Sequence, residues 1–123
     1  MNLPRMVAEW QRAWSDLDPE KVAALYAEGA THMSAAVTTY LNRPDATLHG
    51  PAEMRTYAAA VATRLTGFRA DITNVIAEGT DDEGRAAIEY WRVVNGDEAG
   101  RKRVAEILEW KHAKLTACRV FHF

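Results

Sequence analysis

Leu3, Met6, Val7, Trp10, Ala13 and Trp14 recur at three- and four-residue steps, with Arg5, Glu9 and Arg12 on other faces; this predicts an amphipathic helix. Asp18-Pro19 puts a carboxylate at an N-cap and proline at the first helical position. A short second helix should follow, with Val22, Leu25 and Tyr26 inward and Gly29 as its left-handed end. Residues 30–37 read as a strand, followed by a loop through Asn42-Arg43-Pro44-Asp45. Gly50-Pro51 opens a third helix, with Met54, Tyr57, Ala58, Val61 and Leu65 inward and Gly67 closing it. The period then changes. FRADITNVIAE, GRAAIEYWRVV, KRVAEILEW and KLTACRVFHF are strand-like runs separated by GTDDEG, NGDEAG and the tight link at His112-Ala113. Helices first and an antiparallel meander after predict a single α+β domain over residues 1–123.

The hairpins suggest a register. With Asn95 and Gly100 closing the first turn, Glu89 faces Glu106, Trp91 faces Val104 and Ala87 faces Leu108. With Lys111 and Lys114 closing the next, Glu106 faces Arg119 and Val104 faces Phe121. One face then carries Glu89, Trp91, Glu106, Leu108, Trp110, Arg119 and Phe121; Tyr90, Arg92, Cys118, Val120 and His122 belong to the other. Both are apolar enough to need cover, one by the helices and the other by a second copy of the chain, which predicts a homodimer through the outer sheet face. Tyr90, Arg92 and His122 fall on that dimer side. Two opposed carboxylates about 5 Å apart repel by roughly 3 kcal/mol at an effective dielectric of about 20. Either Arg119 offsets this in a structural Glu-Arg-Glu network, or one carboxyl keeps its proton and becomes a hydrogen-bond donor.

Composition narrows the function classes. A hydrophobic share of 48%, a charged share of 26% and a net charge of -2 describe an ordinary globular chain, with no general attraction to nucleic acid or anionic membranes. The one cysteine, Cys118, forbids an intrachain disulfide, which together with the absence of a membrane-length apolar run predicts a cytoplasmic protein. Cys118 itself reads as a packed small residue. His32, His49, His112 and His122 lack ligand spacing with carboxylates, and neither a phosphate loop nor a nucleophile elbow occurs. Metal: none, and cofactors: none, are the resulting expectations.

The order helix, helix, strand, helix, four strands, together with DPEKVAALYAEGATHMS, GPAEMR and EILEWKHAKLTACRVFHF, resembles the nuclear transport factor 2-like superfamily over nearly the whole chain. This superfamily includes ketosteroid isomerases, SnoaL-like polyketide cyclases and limonene-epoxide hydrolases. The resemblance implies a cystatin-like, cone-shaped α+β fold, its curved antiparallel (mixed) sheet wrapped around three helices, with a pocket on the concave face. It places Glu106 at the isomerase oxyanion acid on the penultimate strand. Ser34 stands at the position of the isomerase base and Trp10 near that of its tyrosine, so steroid isomerisation is disfavoured. His32 shares strand parity with Ser34. It is either a general acid or base with a pKa near neutrality, or a neutral histidine held by a backbone carbonyl.

The resulting expectation is a small hydrophobic ligand bearing a carbonyl, acted on by isomerisation, cyclisation or hydration. His32 would move the proton, Glu106 coupled to Glu89 would hold the oxyanion or an attacking water, and Arg119 would set the charge of Glu106. Trp10, Trp14, Tyr26, Ser34, Tyr57, Trp91 and Phe121 would line the ligand site. The alternative is a binding or dimerisation module of the same fold without turnover.

Overall fold

A computed structural model describes residues 1–123. Its elements run α1 (Arg5–Ser15), α2 (Pro19–Ala24), β1 (Tyr26–Met33), α3 (Ala35–Leu41), β2 (Thr47–His49), α4 (Gly50–Arg64), β3 (Phe68–Gly79), β4 (Glu83–Val94), β5 (Lys102–Lys111) and β6 (Lys114–His122). The predicted apolar stripe of α1 is the buried one: Met6, Val7, Trp10, Ala13 and Trp14. Asp18 caps α2 as expected, its Oδ1 accepting from the backbone N–H of Glu20 at 3.0 Å and of Lys21 at 3.3 Å. None of the helices is long and apolar enough to cross a membrane.

The α+β plan holds, with four helices rather than three and a six-stranded sheet. The expected strand over 30–37 lies earlier, at 26–33, because Ser34 stops it. The Ser34 hydroxyl accepts from Ala36 N–H at 3.1 Å and so starts α3, within a span read from sequence as strand and loop. Gly29 does not end α2. With φ at +78° it sits inside β1, where the register against β6 shifts between Tyr26 and Thr31.

The strand order is β2-β1-β6-β5-β4-β3; β1 runs parallel to β6 and every other neighbour pair is antiparallel. Bulges in β1, in β3 near Thr73 and at Glu109/Trp110 against β6 curve this unclosed sheet over the helices. The concave side buries one core built from α1, α4 and alternate sheet residues, among them Ile88, Val104, Leu108, Leu115 and Cys118. Burying this apolar surface is the main favourable contribution to the fold.

The sequence register is wrong by one residue in both hairpins. Ile88, not Glu89, opposes Glu106, and Glu89 opposes Ala105. The cause is the loop at 95–101. It packs two turns in series, Asp97 N–H to Val94 O and Arg101 N–H to Glu98 O, after Asn95 and Gly96 adopt left-handed conformations. In the last hairpin Lys111 does oppose Lys114 across the left-handed pair His112-Ala113. Thr116 is then the extra residue of a bulge, its hydroxyl donating to Glu109 O at 3.2 Å, so that Glu106 opposes Val120 and Arg119 opposes Ile107. A slip of one residue reverses a strand's faces. Glu106, Leu108 and Trp110 therefore stay inside, while Tyr90, Cys118 and Val120 exchange sides with Glu89, Arg119 and Phe121.

Candidate functional site

A cavity lies between α1, α4 and the concave sheet face, with about 50 Å³ of free interior that opens to solvent. Its walls are aromatic and aliphatic, with Trp10, Trp14, Tyr40, Tyr57, Phe68 and Val120 prominent, and its polar groups are His32, Ser34, Tyr90, Arg92, Glu106 and His122. The aromatic rings brace one another edge to face: Trp10 on Tyr90 at 5.4 Å and Trp14 on Tyr57 at 5.8 Å between centroids.

Glu106 is 2% exposed. The Tyr90 hydroxyl donates to its Oε1 at 3.0 Å. Its Oε2 has no partner within the chain, and neither has the buried indole nitrogen of Trp10. Burial drives the carboxyl pKa from 4.5 up to about 8, against the opposing pull of the Tyr90 hydroxyl and the Trp10 indole. The indole is thus near enough to favour the ionised carboxyl while falling short of a hydrogen bond. A carboxyl in this setting keeps its proton at neutral pH.

His32 is 3% exposed, and its Nδ1 is 3.0 Å from the Tyr26 hydroxyl, which lies 3.5 Å from Cys118 Sγ. Burial lowers the imidazole pKa from 6.5 to about 4, so the ring is neutral, as in the second of the two readings of His32, with the Tyr26 hydroxyl in place of a backbone carbonyl as its partner. An O–H···N bond at 3.0 Å outweighs a contact to sulfur at 3.5 Å, which makes Nδ1 the acceptor and leaves Nε2–H as a donor. The ring also packs on Tyr57 at 5.6 Å.

At the mouth, Ser34 Oγ meets His122 Nε2 at 3.2 Å. Burial, with the nearby Arg92 charge, lowers the pKa of His122.

The structure brings His32, Glu106, Trp10, Trp14, Ser34 and Tyr57 to this cavity; Tyr26 stands behind His32 as its hydrogen-bond partner. It does not bring Glu89, Arg119, Trp91 or Phe121 there. Glu89 is on the outer face, accepting from Asn74 Nδ2 at 3.0 Å and lying 3.8 Å from Arg103. Arg119 pairs with Glu109 at 2.7 Å, also outside. Trp91 is sandwiched by the Arg101 and Arg103 guanidiniums at 4.4 and 4.9 Å, and Phe121 is 43% exposed. Tyr90, Arg92 and His122, read from sequence as dimer-side residues, line the cavity instead. The two one-residue offsets cancel between β4 and β6, so these three stay on one face, and relative to β5 that face is the inner one. Tyr40 and Phe68 carry no signal in the sequence, because Tyr40 falls in the loop expected after the strand over 30–37 and Phe68 is one more strand residue.

A curved mixed sheet over helices, with an aromatic hollow at its concave face, is the nuclear transport factor 2-like, ketosteroid isomerase-like class of fold. Within it, the chain belongs to the SnoaL-like domain family, whose sequence profile matches residues 7–119. Similar solved structures include a hypothetical protein from Catenulispora acidiphila with a ketosteroid isomerase-like fold, in complex with trimethylamine (TM-score 0.71, 19% identity, covering 98% of this chain and 86% of that one). A candidate polyketide cyclase from Sinorhizobium meliloti has a TM-score of 0.74 at 13% identity, covering 97% and 95% of the two chains. A cystatin-like protein of unknown function from Nostoc punctiforme has a TM-score of 0.69 at 19% identity, covering 96% and 86%. At such identities the likeness is one of fold. No curated protein matches the sequence.

Proposed function

We propose that the cavity binds a small, mostly apolar molecule carrying a carbonyl-type oxygen and moves a proton on it, in an isomerisation, cyclisation or hydration. The observation behind this reading is the pair of buried polar atoms without partners, Glu106 Oε2 and Trp10 Nε1, in the wall of an apolar hollow.

Glu106 is the proton carrier in this scheme. A group with a pKa of about 8 accepts a proton in its minor ionised form and returns it in its neutral form near neutral pH. Taking a proton from the carbon beside the carbonyl sends the C–H electron pair into an enolate. The enolate oxygen accepts from Trp10 Nε1–H and His32 Nε2–H. Where the ligand carries a carbon–carbon double bond next to that carbon, the anion is a dienolate, and reprotonation by Glu106 at its γ carbon completes an isomerisation. His32 is a hydrogen-bond donor here, since an imidazole with a pKa of about 4 is a weak base. Both roles differ from the division expected from sequence, which gave His32 the proton and Glu106 the oxyanion.

The test is deuterium exchange at the carbon beside the carbonyl of a small aryl ketone in heavy water, followed by NMR alongside ketone binding. The protein should accelerate exchange, and Glu106→Gln should remove the acceleration while binding persists. A bound ketone that exchanges only at the buffer rate would leave a binding module without turnover. A ketone that does not bind would remove the ligand site as well.

The outer sheet face supports a second, separate reading, a homodimer. Ile76 is 68% exposed and Phe121 43%, large apolar groups on the side away from the helices. Sedimentation equilibrium should give twice the monomer mass, and Ile76→Glu should reduce it to one.

A further inference from the structure

Arg92 is the only cavity-lining residue that is charged at every accessible pH. It takes part in none of the chain's ion pairs or side-chain hydrogen bonds. The nearby acids are occupied elsewhere: Glu89, three residues away, accepts from Asn74 and lies by Arg103 on the outer face, and Asp71, cross-strand partner of Trp91, and Glu98 are both held by Arg69. The cross-strand neighbours of Arg92 itself are Ala70, which offers no counter-charge, and Lys102, which adds a second cation. Its field reaches inward, lowering the pKa of Tyr57, Tyr90 and His122 against the effect of burial on the two tyrosines. A half-buried guanidinium beside an apolar wall, without an ion-pair partner, has its fork of N–H donors free to take an anion.

We propose that the cavity takes ligands with an apolar body and a terminal carboxylate, the carboxylate held at the mouth by Arg92 beside His122. This rests on the reading of the cavity as a ligand site and adds the charge class of its ligand. A single planar fork of N–H donors matches the two oxygens of a carboxylate, and the aromatic walls behind it match an apolar body. Glu106 does not oppose this placement, because it is neutral at the same pH. The Ser34 to His122 contact fixes the imidazole at the mouth, where it can offer a further donor.

The experiment compares three probes of equal size, hydrocinnamate, its primary amide and the corresponding primary amine, by calorimetry and by quenching of Trp10 and Trp14 fluorescence. Hydrocinnamate should bind about tenfold more tightly than the amide, with the amine weakest. Arg92→Met should reduce hydrocinnamate to the affinity of the amide and leave the amide within about twofold of its original value. Arg92→Lys, which keeps the charge but not the fork, should fall between the two. If the amide binds as well as hydrocinnamate, the carboxylate assignment fails while the ligand site stands. A preference that survives in Arg92→Met also defeats it. If none of the three probes binds, the assignment and the ligand site fall together. Should Arg92→Met not fold, the acid-to-amide ratio in the unaltered protein and in Arg92→Lys decides.

Discussion

The Tyr90 hydroxyl on β4 donates to Glu106 Oε1 on β5 at 3.0 Å, and the Tyr90 ring packs against Trp10 with centroids 5.4 Å apart. This relationship engages one carboxyl oxygen from the sheet and leaves the other, Oε2, without a partner. Burial outweighs the hydrogen bond, so the carboxyl stays protonated where an exposed one would not.

Stability should therefore fall with rising pH on account of Glu106. Between 4.5 and about 8 the unfolded chain has released this proton and the folded one has not. The unfolded state binds fewer protons there, so the slope is negative, at most about 1.4 kcal/mol per pH unit. Glu106→Gln should lack that slope. Urea unfolding across a pH series tests this, and parallel profiles for the two proteins would contradict it.

His32 should act in the opposite direction. Its folded pKa of about 4 lies below the ordinary 6.5, so its stabilisation is present above 6.5 and is lost as pH falls toward 4. The two slopes oppose each other between 4.5 and 6.5. In that window the stability of His32→Gln should fall with rising pH and that of Glu106→Gln should rise, with the unaltered protein flatter than either.

Trp10→Phe should raise the Glu106 pKa further, since it removes an N–H that favours the ionised carboxyl. Carbon-13 NMR of labelled glutamate side chains reads the shift directly. The smaller ring at a position 1% exposed should also cost about 1–3 kcal/mol of stability.

Glu89→Ala and Arg119→Ala should leave binding of an aryl ketone unchanged and alter stability by less than about 1 kcal/mol, because both pairs are solvent-exposed on the outer face. Loss of ketone binding in either variant would count against the observed register.

Gly29→Ala should destabilise by about 1–2 kcal/mol through backbone strain at a left-handed φ of +78°. No atom lies within 4 Å of the added Cβ, so steric overlap contributes nothing. Chemical denaturation measures the loss, and Gly29→Asn should recover part of it.

Alternation placed Tyr90 with Arg92 on β4 and Glu89 with Trp91 on the opposite side; His122, on β6, joined Tyr90 and Arg92 only because the two one-residue offsets cancel between β4 and β6. Local pattern says which residues share a face within one strand, but how faces combine across strands, and which turns inward, depends on pairing between strands. The bulge at Thr116 and the serial turns in 95–101 settle that pairing. Neither changes the hydrophobic pattern, so neither could be seen in it. Alternation puts Glu106 on one side of β5 with Leu108 and Trp110, and the family resemblance, not the pattern, points that side inward, where all three are buried.

Helix periodicity, the Asp18 cap and the change from period near four to period two were enough to determine the α+β class and the inward stripe of α1. These depend on residues within one element and on water's exclusion of apolar surface. The company Glu106 keeps was decided only by tertiary structure. Tyr90 in place of Glu89, Val120 in place of Arg119 and an unpaired Arg92 at the mouth all follow from one-residue offsets in long-range pairing, and an offset of that size inverts a strand's inside and outside.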